Sequence, residues 1–127
     1  MRPQPTARGS LAAILLLTVA ACGGSTAPTP PGQTVATITI TASGASPASV
    51  QVSQGQRVRF VNNDARSHNM TSDPHPDHTD CGELNQVGFL SPGQSRETGN
   101  LVTIRTCGFH DHDNPDNATL KGQIVIR

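Results

Sequence analysis

The sequence has no Trp and no Tyr, and its 2% aromatic content rests on three Phe. Without such rings the chain lacks the stacking platforms on which single-stranded nucleic acid binds. It also lacks a charge excess, because nine Lys and Arg balance nine Asp and Glu. A basic face for a phosphate backbone is therefore not expected, and nucleic acid is set aside as a partner. No window of useful length repeats its apolar residues at helical spacing between caps, and no internal repeat is evident. Cysteine is scarce at three residues. The length of 127 residues suits one domain rather than two.

The N-terminus reads as an export signal. Arg2 and Arg8 precede an apolar run, Leu11 to Ala21, that ends at Cys22. The run is short for a bilayer span, which takes about 20 apolar residues. Val19-Ala20-Ala21-Cys22 resembles a bacterial lipobox, which implies cleavage after residue 21 and a lipid on Cys22. Next comes Gly23 to Gln33, rich in Gly, Ser, Thr and Pro and too poor in apolar residues to pack. The expected organisation is a signal over 1–21, a lipidated cysteine and flexible linker over 22–34, and a folded domain over 35–127. Loss of Arg2 and Arg8 leaves seven basic against nine acidic residues, a mildly acidic mature chain. Its expected location is the cell envelope, periplasmic or outer-surface, anchored by lipid to the membrane.

From Thr34 onward the pattern has period two. Ile38 and Ile40 alternate with threonines, Val58 and Phe60 with Arg57 and Arg59, and Leu101, Thr103 and Arg105 with Val102, Ile104 and Thr106. Turn residues separate the runs, as at Asn62-Asn63-Asp64 and Ser91-Pro92-Gly93. This predicts an all-β antiparallel sandwich or barrel with Greek-key connections and one long polar insert. That insert is Ser72 to Gln86, and a second polar segment, Gly108 to Thr119, precedes the last strand. Both are expected to be loops at an end of the sandwich.

The chemistry collects in these segments. The five histidines are His68, the pair His75 and His78, and the pair His110 and His112, with Cys81 and Cys107 beside the pairs. Seven of the nine acids share the same two segments, and Asp111, Asp113 and Asp116 read as solvated turn formers. Imidazoles and thiols gathered outside the strand cores point to a metal site. In an extended stretch, His110-x-His112 turns both rings to one side. A thiolate with two imidazoles is the equatorial set of type 1 copper. In an oxidising compartment, however, Cys81 and Cys107 also suit a disulfide. In that case imidazoles alone, from His68, His110, His112 and His75 or His78, remain to bind copper or zinc.

Residues 50–127 resemble the plastocyanin-like cupredoxins. The resemblance rests on Ser49-Val50-Gln51-Val52, Gly55 to Asn62, Ser67-His68-Asn69-Met70, Leu90 to Ser95, Cys107-Gly108-Phe109-His110 and Leu120 to Ile126. It implies a cupredoxin sandwich holding one copper ion on His68, Cys107 and His110, with Asn69 tying the ligand loops together. Three departures stand out: Leu120 where the family places its axial Met, Thr106 before the cysteine, and a longer loop holding an extra His112. The expected function is a copper-binding electron carrier, not an enzyme, monomeric and serving a redox-protein partner. The alternatives are a redox-silent store or delivery protein with a Cys81–Cys107 disulfide, and a structural sandwich without metal. A small copper enzyme ranks last, since no acid–base set stands outside the histidine cluster.

Overall fold

A computed structural model describes residues 30–127. The signal segment, Cys22 and most of the linker lie outside the described residues. The described strands are β1 (Thr34–Thr41), β2 (Gly44–Ser46), β3 (Ser49–Val52), β4 (Arg57–Asn62), β5 (His68–Ser72), β6 (Gly88–Leu90), β7 (Ser95–Glu97), β8 (Thr106–Asp111) and β9 (Gly122–Ile126). Among the described residues no helix is long and apolar enough to cross a membrane.

The strands form two sheets, ordered β2-β1-β4-β7 and β3-β9-β8-β5-β6. The expected β-sandwich is present, but its pairing is mixed. β1 runs parallel to β4 and β3 parallel to β9, while the remaining pairs are antiparallel. A parallel neighbour demands a crossover, and between β1 and β4 the chain supplies it by visiting the other sheet as β3. Period-two alternation then turns Ile38, Ile40, Val58 and Phe60 of one sheet toward Met70, Phe109, Ile124 and Ile126 of the other. Phe60 and Phe109 meet edge to face, with centroids 5.3 Å apart. A side chain at Gly122 would strike the Phe109 ring and the Ala48 carbonyl, so that position is kept bare for the packing.

Two expected boundaries move. The linker was expected to extend through residue 34, but the N–H of Gly32 already donates to Gly55 O at 2.7 Å and β1 begins at Thr34. The alternating run Leu101 to Arg105 is not a strand. Leu101 is buried, whereas Val102 and Ile104 are exposed. The strand lies further on, and the start of the Gly108-to-Thr119 segment, expected as loop, lies within β8. Its neighbours explain this, because Cys107 pairs with Ile124 of β9 and His110 with Thr71 of β5. Pairing on both sides satisfies the backbone as a loop could not.

The core depends on the aromatic pair. Phe109→Ala is expected to lower the unfolding free energy by about 3–5 kcal/mol. In a urea titration this reads as a lower midpoint with an unchanged slope.

Candidate metal centre

β8 decides where each candidate ligand points. In a strand, successive side chains face opposite sides. Cys107, Phe109 and Asp111 therefore face the core, and all three are fully buried. Gly108 and His110 face away from it, and His112 follows in the same phase. That second face is not open to solvent, because the start of the insert lies over it. Asp73 donates its N–H to Gly108 O at 3.0 Å, and a Cβ at Gly108 would collide with the Asp73 carboxylate. His110 is consequently only 1% exposed although it points away from the core.

The three residues of the expected copper set do not converge. Cys107 is joined to Cys81 by a disulfide, with the two Cα atoms 5.6 Å apart. This is the second of the two cysteine arrangements that the sequence left open, and a disulfide sulfur offers no thiolate. Were it reduced, Cys107 would still face the core while His110 faces the insert. His68 opens β5 on the core side and both its ring nitrogens are engaged. Nδ1 lies 2.9 Å from Asp111 Oδ2, and Nε2 lies 3.1 Å from Asp64 Oδ2. Each ring nitrogen is thus turned to a carboxylate, and neither faces the space where a metal could sit. Leu120, at the axial position, is a core side chain 2% exposed.

Burial and hydrogen bonding act with opposite sign on the two carboxylates, Asp64 and Asp111. Desolvation acts to raise the pKa of Asp111, but bonds from the Asn69 N–H, the His68 ring, the Asn114 amide and the Asp113 N–H outweigh it and hold the carboxyl below its usual value. Asp64 follows the same logic. Desolvation raises its pKa, while His68, the Ala65 N–H and Arg66 together lower it further. Asp111 is thus no solvated turn former, contrary to expectation. Its phase with Cys107 and Phe109 was the available sign that it faces inward. Asn69 does tie the two segments together, but through its backbone: its N–H donates to Asp111 Oδ1 at 2.9 Å, and its carbonyl accepts from the His112 N–H at 2.7 Å.

The imidazoles gather on the other face. His75, His78 and His112 each offer a ligand atom, all within 4.8 Å of one another. His78 adopts φ 52°, a left-handed conformation that costs a non-glycine residue about 1 kcal/mol. Its N–H closes the turn on Pro74 O at 2.7 Å. That turn directs Nδ1 to Ser72 O at 2.8 Å. A carbonyl only accepts, so Nδ1–H donates and Nε2 is the nitrogen turned into the cluster. Nε2 faces His112 Nδ1 across 2.8 Å. A cation placed there would replace the proton between them, with His112 then carrying its own proton on Nε2. His75 closes the cluster from the solvent side, its centroid 5.6 Å from His78 and 5.0 Å from His112. Local desolvation, followed by the nearness of His112, His110 and His78, lowers its pKa, against a smaller opposing pull from Asp116. A lowered pKa keeps the lone pair available.

His110 belongs to this group as a support. Its ring stacks on His78 at 5.1 Å, and its Nδ1 donates to Asp73 Oδ1 at 2.7 Å. The sequence drew His110 and His112 to one side correctly, but it missed Asp73 and Ser72 as the groups that orient the rings. Imidazole donors backed by a carbonyl suit Cu(II) or Zn(II), so the residues present fit the expected metal.

No protein-family model and no curated protein sequence matches the chain. Solved structures do resemble it in fold. A purple cupredoxin from Nitrosopumilus maritimus superposes with a TM-score of 0.56 at 19% identity, covering 73% of this chain and 100% of that one. Oxidised plastocyanin from Dryopteris crassirhizoma gives 0.55 at 22% identity, over 72% and 99% of the two chains. A reduced amicyanin variant gives 0.55 at 17%, over 72% and 80%. At these identities the likeness establishes the cupredoxin fold and leaves the site to its own geometry.

Two outcomes follow from this geometry. Asp64 and Asp111 hold protons less tightly when folded than the value of about 3.9 expected in the unfolded chain. The stability they contribute is complete above that value and is lost as pH falls through the lower folded values. Urea midpoints should therefore drop on acidification below about pH 4, and Asp111→Asn should flatten the drop. An unaltered slope would count against the ionised network. Separately, Gly108→Val should expel the Asp73 carboxylate. The downfield His110 Nδ1–H resonance, which Asp73→Ala also removes, should then disappear from the proton spectrum.

Proposed function

We propose that this protein is a copper-binding cupredoxin-like protein of the cell envelope, which holds Cu(II) on imidazoles alone and stores or hands on the ion. The observation that carries this reading is the convergence of His75, His78 and His112 within 4.8 Å, with Cys81 and Cys107 closed in a disulfide. A site without thiolate or thioether favours divalent copper over the cuprous ion. Zinc is the competing occupant, since three imidazoles suit it as well. The lipobox-like segment around Cys22 supports a lipid anchor and a place at the membrane. No catalytic role is assigned.

A second reading, electron transfer with a redox-protein partner, draws on one observation. The fold neighbours include a fern plastocyanin variant determined in oxidised and reduced states. The two readings differ in colour and in sulfur. Bound copper would act as a Lewis-acidic, redox-capable centre, and only a thiolate ligand would give it an intense red-region band. One equivalent of Cu(II) added to the soluble domain is expected to give a weak visible band, with no titratable thiol beforehand. An intense band with a free thiol would reverse the choice. His78→Ala/His112→Ala should abolish stoichiometric binding, whereas His68→Ala should retain it while lowering thermal stability. Loss of binding in His68→Ala alone would return the site to the core side of the sheet.

A further inference from the structure

The cluster and the disulfide join the same two segments. His75, His78 and Cys81 belong to the insert between β5 and β6, while Cys107 and His112 belong to β8 and its continuation. Both cysteines are fully buried, and the bond between them crosses from insert to strand. A cation on His75, His78 and His112 would join the same two segments on the other face of the sheet. Along the backbone, His78 and His112 are 34 residues apart. The β5–β8 pairing of Ser72 with Phe109 closes one side of the turn through six residues to His78 and three to His112, and the disulfide closes the other side through three residues from His78 to Cys81 and five from Cys107 to His112.

Resting on the metal reading above, we propose that the Cys81–Cys107 disulfide sets the metal affinity of the His75–His78–His112 cluster by closing in advance the loop that a bound ion must close. With the Ser72–Phe109 pairing holding one side of the turn, the disulfide removes freedom from its other side, so less conformational entropy is left for the ion to take up on binding. Binding and cross-linking are also reciprocal. If the disulfide raises affinity for the ion, the ion raises the resistance of the disulfide to reduction by the same equilibrium factor. Other links also join insert to strand, among them the Asp73 N–H to Gly108 O bond, the Asp73–His110 bond and the His78–His112 contact. If these alone fix the insert, the disulfide adds nothing to affinity, and that is the outcome the test must separate.

The test measures Zn(II) affinity by competition with a chromophoric chelator, for the wild-type chain and for Cys81→Ser/Cys107→Ser. Zinc is chosen because it does not oxidise thiols. Several-fold weaker binding by a variant with an unchanged far-ultraviolet spectrum is the expected result. Equal affinity in that folded variant overturns the inference while leaving the metal site standing. Failure of the wild type to bind zinc or copper overturns both. If the variant does not fold, the wild type is equilibrated in a glutathione redox buffer, where the S–S bond takes two electrons and two protons from two glutathione thiols, which leave as glutathione disulfide. Saturating Zn(II) should move the midpoint toward more reducing buffer, and an unchanged midpoint overturns the inference.

Discussion

The arrangement depends on β8 remaining a strand through Asp111. A turn after Cys107 would let Cys107 and His110 bend toward one ion. Pairing with β9 and β5 on either side prevents it and sends alternate residues to opposite faces. Cys107, Phe109 and Asp111 are committed to the core, and His110 and His112 to the face beneath the insert. One backbone choice thus separates the thiol from the imidazoles and divides the chemistry of the segment into two environments.

On the core side, the positions that the cupredoxin resemblance marks for copper carry covalent and ionic cross-links. His68 sits between Asp64 and Asp111, and Cys107 is bonded to Cys81. A buried imidazole ring between two carboxylates is tolerable because the remaining acceptor sites of Asp111 take N–H donors from Asn69, Asp113 and Asn114. On the other side, the insert supplies two of the three converging rings and the residues that aim them. Gly108 leaves the room in which Asp73 sits, Asp73 holds His110, and His110 stacks on His78. The site owes its order to an insertion laid on the sheet, and the insertion owes its place to the bare backbone at Gly108 and to the disulfide.

Much of the fold was legible because a strand writes its burial into every second residue. Ile38, Ile40, Val58 and Phe60 announced both strand and inward face, and the ordered pieces from Val50 to Ile126 announced the cupredoxin frame. The segment 101–105 misled because alternation of Val and Ile with Thr and Arg is necessary for a half-buried strand but does not ensure a partner to pair with. The site was legible in part. Spacing placed His110 and His112 on one side, and composition drew attention to His75, His78 and the two cysteines. The family pattern, transferred by position to His68 and Cys107, assumed a loop where this chain continues a strand.

By itself the sequence determined the alternation, the turns between strands, the stock of imidazoles and the presence of two cysteines in one domain. These are local properties, set by residue type and spacing. Tertiary structure decided which face each ligand candidate took, which cysteine arrangement holds, and which three histidines meet. Those outcomes turn on contacts between residues tens of positions apart, such as Cys81 with Cys107 and His78 with His112, and no local period records them.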